Sequence, residues 1–194
     1  MLLEDLFNAY GTDKGINGYA SLYHILFSGL RFDKIDFLEI GIGTLNPTAA
    51  SSMRDYCRPG YKPGGSLRAW RDFFPNGNIV GADVQPDTQF SEERIQTTIC
   101  DSTNSGAVKA AMKELNRQWD ICIDDGLHTS NAQILTLENF FPFVKKDGLY
   151  IIEDVYPGSP ISENPVLVSM ACNGNPFFFA GKLNNLCIIQ KIKD

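Results

Sequence analysis

The chain has 194 residues and a formal net charge of −6, from 17 Lys and Arg against 23 Asp and Glu. This length suits one domain, residues 1–194, and the acidic balance argues against a nucleic acid or an anionic membrane as the main partner. A hydrophobic content of 43% excludes general disorder, and no apolar run approaches the ~20 residues that span a bilayer. Glu4 and Asp5 stand where a signal peptide would be basic. These features favour a soluble, cytoplasmic protein.

The predicted elements begin with helices over residues 2–10 and 20–30, which form an N-terminal helical cap at residues 1–30. Apolar strands then alternate with amphipathic helices. The strands are predicted at 35–41, 78–84, 94–100, 119–125 and 148–155, and the helices between them at 66–74, 105–116 and 130–141. A helical segment near 163–172 and a hairpin of residues 176–183 and 185–192, joined at Asn184–Asn185, follow. This order predicts an α/β, Rossmann-like fold whose mostly parallel sheet carries helices on both faces and an antiparallel hairpin at one edge.

The five cysteines form no CxxC pair, and Cys100, Cys122 and Cys187 lie inside apolar runs. Cys57 and Cys172 stand alone, and the total is odd. Buried free thiols in a reducing compartment are the favoured interpretation, with disulfides or zinc as the alternatives.

Polar residues at the carboxyl ends of the strands are the candidate ligand-binding groups, because open α/β sheets bind ligands at that edge. Each predicted parallel strand ends in an acid, and glycines follow the first one. The residues at these ends are Glu39, Gly41, Gly43, Asp83, Asp101, Asp124, Asp125, Glu153 and Asp154. So many acids at one edge must be offset electrostatically by a cation.

The LEIGIG segment does not complete a dinucleotide fingerprint. Asn46 stands where GxGxxG requires glycine, and a loop of about twenty residues follows instead of a helix. Asp83 comes too late after Gly43 to be the acid of that fingerprint but can still accept bonds from ribose hydroxyls. The pattern suits an adenosine without a pyrophosphate, and the acids favour a cationic sulfonium cofactor. A pair of ordinary turn glycines is the alternative.

The IDDGLH segment contains one of the two histidines, His128, directly after a predicted strand. A neutral imidazole beside Asp125 is suited to general-base catalysis near pH 7. The alternative is purely structural: the two aspartates end the strand, and His128 precedes a helix with a capping box from Ser130 to Gln133.

Asp125, Glu153 and Asp154 could supply three oxygen ligands to a hard divalent cation, for which magnesium fits best. Consecutive strand residues face opposite sides, so this requires the strand to break at Glu153–Asp154, as Pro157 and Gly158 suggest. Otherwise one acid caps a loop and the other is exposed.

Four further side chains are expected to be structural. His24 should pack within its helix, and Trp70 should lie in the core or form the floor of a cofactor pocket. Arg68 and Arg71 are predicted to lie on a solvated helix face.

The turn Thr12–Asp13–Lys14 is expected at the surface. Tyr19 and Tyr23 would flank the site only if residues 11–23 fold over the strand ends.

Five segments follow one another along the chain in the order GTDK, LEIGIG, GGSLRAW with FFPNGNIVGADV, IDDGLH and YIIEDV. Together, over residues 10–155, they resemble the class I S-adenosylmethionine-dependent methyltransferases related to macrocin and mycinamicin O-methyltransferases, with their cephalosporin-hydroxylase-like relatives. The resemblance implies a seven-stranded sheet and an O-methyltransferase that uses S-adenosylmethionine and magnesium on a hydroxyl of a small polar acceptor, such as a sugar or natural product. By motif it implies Glu39, Gly41, Gly43, Asp83, Asp101 and Asp124 for the cofactor, Asp125, Glu153 and Asp154 for the metal, and His128 as the base.

The chain departs from the family pattern at two motif positions. Leu127 replaces the serine of DDGSH, and Gly18 replaces the histidine that precedes the tyrosine matched to Tyr19. The macrolide enzymes also have an additional N-terminal domain, so their substrate is not carried over. A metal-dependent hydroxylase-like enzyme and a non-catalytic cofactor-binding domain are the alternatives. The apolar segments 140–144 and 176–180 predict a homo-oligomer.

Overall fold

The computed structural model describes residues 1–163, 174–180 and 185–193. The helices are α1 (Leu3–Ala9), α2 (Tyr19–Phe27), α3 (Gly65–Phe73), α4 (Ser105–Leu115), α5 (Ser130–Phe140) and α6 (Pro160–Glu163). The strands are β1 (Asp36–Ile40), β2 (Asn78–Asp83), β3 (Ser91–Glu92), β4 (Ile95–Ile99), β5 (Trp119–Asp124), β6 (Val144–Val155), β7 (Gly174–Ala180) and β8 (Asn185–Lys191). Apart from its first residue, the helical segment predicted near 163–172 lies outside the described residues, as does Asn184 of the predicted hairpin turn.

The described strands form one sheet in the order β3-β4-β2-β1-β5-β6-β8-β7. The five strands β4, β2, β1, β5 and β6 are parallel, and β8 and β7 add an antiparallel hairpin beyond β6. The predicted α/β architecture is therefore confirmed. The sheet has eight described strands rather than seven, because Ser91–Glu92 pairs antiparallel with β4 at the other edge.

Both faces of the sheet are covered, because successive strand residues face opposite sides and nearly all are apolar. On one face, Leu38 and Cys122 belong to a buried cluster that includes residues of α4 and α5. On the other, Phe37 and Ile121 belong to a cluster built with α1, α2 and α3. This second cluster brings the N-terminal helices against the same sheet as the predicted strand-end site.

Strand β6 begins at Val144, four residues before its predicted start at Gly148. Its pairing with β5 is irregular at this end, where Asp147 has a left-handed φ of 65°. Apolar character alone did not indicate this extension, because it contains two lysines and an aspartate.

Cys100, Cys122 and Cys187 are buried, as predicted, and Cys57 is half-buried; none of the four forms a disulfide. Cys172 lies outside the described residues. The two apolar segments differ in exposure: Phe140 and Phe141 are buried in the core, whereas Phe177 of edge strand β7 is 59% exposed. Only the second segment therefore fits the reasoning behind the predicted homo-oligomer. Within the described ranges, every helix is too short or too polar to cross a membrane.

Candidate active site

The candidate site lies where β1 separates its two parallel neighbours, β2 and β5. At this switch point Ile40 of β1 pairs with Asp124 of β5, and the N–H of Asp125 donates to the carbonyl of Ile40 at 2.8 Å. The chain after β1 turns the other way, with Gly41 N donating to the carbonyl of Ala82 at 2.9 Å. At a switch point of this kind, open α/β sheets have a ligand-binding crevice above the carboxyl ends of the strands.

Lys14 occupies the middle of the strand-end acids. Its Nζ lies 2.7 Å from Asp125 Oδ2, 2.7 Å from Glu153 Oε2 and 3.2 Å from Glu39 Oε1, and its side chain is only 1% exposed. The prediction that this turn lies at the surface was therefore wrong for Lys14 and also for Thr12, which is buried. Thr12 holds the turn by accepting a hydrogen bond from the Lys14 backbone N–H at 3.3 Å. The cation that the acids require is supplied by the chain itself.

Glu39 and Glu153 are buried beneath the edge of the sheet. Glu153 accepts bonds from Lys14 and, on its other oxygen, from the Tyr23 hydroxyl at 2.6 Å. Glu39 Oε2 accepts from the Trp70 indole N–H at 3.1 Å, while its other oxygen faces Lys14. Both carboxylates therefore face Lys14 in the buried part of the site and are not exposed at the edge of the sheet.

The outer part of the site brings together Asp125, His128 and Asp154, each half-buried, with one donor atom from each within 4.8 Å of the others. His128 Nε2 lies 3.5 Å from Asp154 Oδ2 and 4.0 Å from Asp125 Oδ1. The Tyr19 hydroxyl donates to Asp154 Oδ1 at 2.7 Å. Residues 11–23 therefore do fold over the strand ends, as the roles considered for the tyrosines require.

The break in strand β6 that the metal prediction required is present. Asp154 has a left-handed φ of 53°, and the pairing with β8 shifts between Ile152 and Val155. The break directs Glu153 to Lys14 and Asp154 to His128. Of the predicted ligands Asp125, Glu153 and Asp154, the structure thus groups only the two aspartates, with His128 in the third position.

Burial and neighbouring charges shift several pKa values here. Burial lowers the pKa of His128, and Lys14 adds to that effect, while Asp154 and Asp13 oppose it. His128 is therefore neutral near pH 7, the state that a proton acceptor needs. Burial also lowers the pKa of Lys14, but the surrounding carboxylates outweigh it and hold the value well above the ordinary range.

Helix α5 begins directly after His128, but not with the predicted capping box. Thr129 is the N-cap, and its hydroxyl accepts from the N–H of Ala132 at 3.4 Å. Gln133 is buried and donates instead to the carbonyl of Glu153 at 2.9 Å. Gln133 therefore stabilises the break in strand β6 through this hydrogen bond and does not cap helix α5.

The two glycines after β1 are required by the protein itself. Both have a left-handed φ, 86° at Gly41 and 82° at Gly43. A Cβ at Gly41 would lie 2.0 Å from the carbonyl oxygen of Asp125, and one at Gly43 would lie 2.1 Å from the Tyr61 hydroxyl oxygen. Tyr61 also donates to the carbonyl of Gly43 at 2.9 Å, so a side chain of the long loop covers the place expected for a ligand.

The three remaining predicted cofactor residues differ in their surroundings. Asp83 is half-buried and accepts from the N–H groups of Ile42 at 2.7 Å and Gln85 at 2.8 Å. Asp101 is exposed and accepts from Thr103. Asp124 is buried, and this burial raises its pKa to about 7 against the opposing hydrogen bond from Gly126.

The side chains expected to be structural mostly are. His24 packs edge-on against Phe73 at 5.8 Å, and Trp70 is fully buried. The expectation of a solvated face was wrong for Arg68 and Arg71, because their side chains are only 14% and 19% exposed; both pair with Glu92, at 2.8 and 3.0 Å.

Sequence reasoning missed Lys14 and Gln133 as parts of the site. For Lys14 two signals were present: the excess of strand-end acids that needs a cation, and its position in the GTDK segment of the family resemblance. Gln133 carried no such signal, since its contact depends on how α5 packs beneath β6.

Comparison with known proteins agrees with this fold. The 8-demethyl-8-(2-methoxy-alpha-L-rhamnosyl)-tetracenomycin-C 3'-O-methyltransferase of Streptomyces olivaceus is 34% identical over 138 residues, 71% of this chain and 32% of that protein. The mycinamicin VI 2''-O-methyltransferase of Micromonospora griseorubida is 33% identical over 157 residues, 79% of this chain and 36% of that protein. The chain thus spans about a third of the length of these curated relatives. No family model matches it.

Among solved structures, the MycE methyltransferase from the mycinamycin biosynthetic pathway, in complex with Mg, SAH and mycinamycin VI, superposes with a TM-score of 0.79. That match covers 100% of this chain and 55% of MycE, at 25% sequence identity. The fold is that of the class I S-adenosylmethionine-dependent methyltransferases. Within that class, the chain is a homologue of the macrocin- and mycinamicin-type O-methyltransferases.

Proposed function

We propose that the protein is an S-adenosylmethionine-dependent, magnesium-dependent O-methyltransferase that acts on a hydroxyl of a small polar acceptor, such as the sugar of a natural product. The observation that carries this proposal is the group formed by Asp125, Asp154 and His128 at the switch point of a class I methyltransferase sheet. The named activities of the relatives support the acceptor class, since they are O-methyltransferases of a rhamnosyl-tetracenomycin and of mycinamicin VI.

The donor set fits a hard divalent cation. Asp125 and Asp154 are half-buried and offer carboxylate oxygens within 4.8 Å of each other, and two carboxylates with several waters are a common magnesium arrangement. A bound magnesium ion would lower the pKa of an acceptor hydroxyl and fix its position. MycE, the structural neighbour, is in complex with Mg and SAH, which supports the same pair of ligands here.

His128 would take the proton of the acceptor hydroxyl at Nε2. Its lowered pKa keeps the imidazole neutral near pH 7, and Asp154 lies 3.5 Å away to stabilise the imidazolium once it forms. Tyr19 holds Asp154 in place through its hydroxyl. Methyl transfer needs little further chemistry from the protein, so positioning of the two reacting groups should supply most of the rate enhancement.

The cofactor would lie over the ends of β1, β2 and β4. Asp83 keeps lone pairs for ribose hydroxyls beside its two backbone bonds, and Asp101 and Asp124 would contribute from the ends of β4 and β5. Gly41 and Gly43 allow the backbone conformation of the segment after β1 that would border the cofactor. Glu39 lies beneath this segment and pairs with Lys14. Tyr61 would have to move from Gly43 or border the bound cofactor.

The test is a two-ligand stability experiment. The unfolding midpoint is measured with S-adenosylmethionine or S-adenosylhomocysteine, each with magnesium or with a chelator. Because a ligand of the native state raises the midpoint by mass action, a rise from the nucleoside and a separate, chelator-sensitive rise from magnesium are expected. Transfer of labelled methyl to rhamnosylated and other deoxysugar glycosides then tests the reaction itself.

The two halves of the proposal can fail separately. A nucleoside response without a magnesium response removes the metal from the mechanism but keeps the methyltransferase. An Asp154→Asn variant should lose the magnesium response and keep the nucleoside response. A chain that responds to neither ligand contradicts the proposed function.

A further inference from the structure

Two consecutive acids of the site lie where strand β6 leaves the regular sheet. The pairing of β6 with β5 runs as far as Ile152, and its pairing with β8 stops there and resumes at Val155. Glu153 and Asp154 lie between these positions, and the left-handed φ of 53° at Asp154 breaks the strand conformation. Buried backbone N–H and C=O groups need hydrogen-bond partners, so this break requires partners from outside the sheet.

Two side chains from opposite faces of the sheet supply such partners. Gln133 of helix α5 is only 2% exposed, and its Nε2 donates to the carbonyl of Glu153 at 2.9 Å and lies 3.5 Å from that of Asp154. From α2, the Tyr19 hydroxyl accepts from the N–H of Asp154 at 3.4 Å. Helices α5 and α2 belong to the buried clusters on the two different faces. The broken strand is therefore held from both sides, and Gln133 is the buried amide on the α5 side.

Helix α5 also carries the candidate base at its start. His128 comes directly before the N-cap residue Thr129, and the N–H of Gln133 donates to the carbonyl of Thr129 at 2.9 Å. A second contact joins the same helix end to the chain after the break, since the hydroxyl oxygens of Ser130 and Ser159 lie 3.2 Å apart. The first turn of one helix thus fixes the position of the base relative to the broken strand.

We infer that Gln133 is a positioning residue of the metal site, which acts through the backbone of the broken strand. By holding the carbonyl of Glu153, it fixes the directions in which the carboxylates of Glu153 and Asp154 leave the chain, and both of these acids are predicted metal ligands. The same bond keeps the two acids at a set distance from His128. This inference rests on the proposed metal-dependent function.

Removing the amide should weaken metal binding although every predicted ligand is still present. Gln133→Met keeps nearly the same length and shape but has no donor for the carbonyl of Glu153. Loss of a hydrogen bond that orients a metal ligand typically costs 10–100-fold in affinity. The affinity for S-adenosylhomocysteine should not change, because the proposed cofactor position lies over β1, β2 and β4 and not over β6.

Asn139→Leu is the matched control on the same helix. The Nδ2 of Asn139 makes the same kind of bond, to the carbonyl of Ser102 at 2.9 Å, but that carbonyl belongs to the segment after β4. Both variants therefore lose one bond from a side-chain amide of α5 to a backbone carbonyl. Gln133→Ala is a second variant that should fold where Gln133→Met does not, because its smaller side chain lets water reach the carbonyl of Glu153.

The experiment uses Mn²⁺ as the probe, without an acceptor. Electron paramagnetic resonance of free Mn²⁺ gives the metal affinity, calorimetry gives the affinity for S-adenosylhomocysteine, and thermal unfolding in EDTA gives the stability of the metal-free chain. We expect Gln133→Met and Gln133→Ala to bind Mn²⁺ about 10-fold more weakly than the wild type, and Asn139→Leu to bind it within about twofold. The midpoints of Gln133→Met and Asn139→Leu should both fall by about 5 °C, since each leaves a carbonyl without its donor.

The inference is overturned if Gln133→Met binds Mn²⁺ as tightly as the wild type, or if Asn139→Leu loses as much affinity, because Gln133 would then contribute to folding alone. Where Gln133→Met does not fold, the same two comparisons with Gln133→Ala decide the matter. A wild type that binds no Mn²⁺ contradicts the proposed metal site and, with it, this inference. Equal Mn²⁺ affinity in the wild type and the Gln133 variants leaves the metal site in place and overturns only the role of Gln133.

Discussion

The Tyr19 hydroxyl donates to Asp154 Oδ1 at 2.7 Å across 135 positions of the chain. One helical turn further along α2, the Tyr23 hydroxyl donates to Glu153 Oε1 at 2.6 Å. Two tyrosines on the same face of one helix thus hold two consecutive acids of a broken strand. Helix α2 is therefore part of the wall of the site and not only a cover for the apolar face of the sheet.

Tyr19→Phe should weaken metal binding with little effect on folding. The change removes only the hydroxyl that fixes Asp154, and loss of such a partner to a metal ligand typically costs 10–100-fold in affinity. Mg²⁺ or Mn²⁺ affinity should accordingly fall about 10-fold, measured by calorimetric titration.

Tyr23→Phe is the matched control, because its hydroxyl donates to Glu153, the acid that precedes Asp154. It should leave metal affinity within about twofold and lower the free energy of unfolding by about 1–3 kcal/mol, since Glu153 loses a buried donor. Equal losses of metal affinity in the two variants would show that Glu153, like Asp154, is a ligand of the metal.

The sequence was sufficient for the fold and for the position of the strand-end acids. Apolar runs such as IDFLEI and DICIDD mark buried parallel strands, and parallel strands bring their carboxyl ends to one edge whatever the packing details. Asp125, His128 and Asp154 were therefore placed in one region before any side-chain direction was known. The strand break at Asp154 also followed from a local signal, the nearby Pro157 and Gly158.

The side chains that pair with each strand-end carboxylate could not be predicted from the strand pattern. Lys14 reaches Glu153 across 139 positions, and nothing local distinguishes a buried lysine in a polar turn from an exposed one. Gly41 and Gly43 were predicted to bind a ligand, because glycine lets another group approach the backbone closely. The sequence does not say whether that group belongs to a ligand or to the protein. In the structure, the groups that approach belong to Asp125 and Tyr61.

His128→Ala should lower turnover sharply and leave cofactor affinity unchanged. A positioned general base contributes about 10²–10⁴-fold, so kcat should fall within that range. Because burial lowers the pKa of His128, the base is already neutral at pH 7, and wild-type turnover should lose activity only as the pH falls below about 6.5.

The imidazole pKa can be measured directly by NMR titration, with His24→Gln to assign the only other histidine signal. His24 packs against Phe73 and should not alter kcat when changed to Gln. A His128 signal that titrates above pH 6.5, or unchanged turnover in His128→Ala, would remove the base role.

Gly41→Ala should be far more disruptive than Gly60→Ala. Both glycines have nearly the same left-handed φ, 86° and 87°, so an alanine pays a similar conformational cost of about 1–2 kcal/mol at either position. Only at Gly41 does the new Cβ also meet a backbone atom, the carbonyl oxygen of Asp125 at 2.0 Å, whereas nothing lies within 4 Å at Gly60. Denaturant unfolding should show the larger loss for Gly41→Ala, with weakened metal binding as Asp125 shifts. Equal losses would mean that the loop can move away from β5.

Asp124→Asn should stabilise the protein at neutral pH and lose that advantage in acid. Burial raises the pKa of Asp124 to about 7 in the folded chain, against about 3.9 in an unfolded one. Between these values the folded state holds a proton that the unfolded state has released, so the Asp124 contribution falls as the pH rises from about 4 to about 7. Asparagine keeps the acceptor for the Gly126 N–H and has no charge to bury.

The variant should therefore exceed the wild type by up to about 4 kcal/mol at pH 7.5 and match it near pH 4, in denaturant unfolding with EDTA present. Glu153, whose pKa burial also raises to about 7, titrates in the same range, and its charge adds to the raised pKa of Asp124. Asp120→Asn, on the same strand but paired with Lys145 at its other end, should show no such gain. A difference that does not change with pH would contradict the buried charge. A gain in stability together with weaker S-adenosylmethionine binding would indicate that the chain keeps a costly carboxylate at this strand end for its ligand.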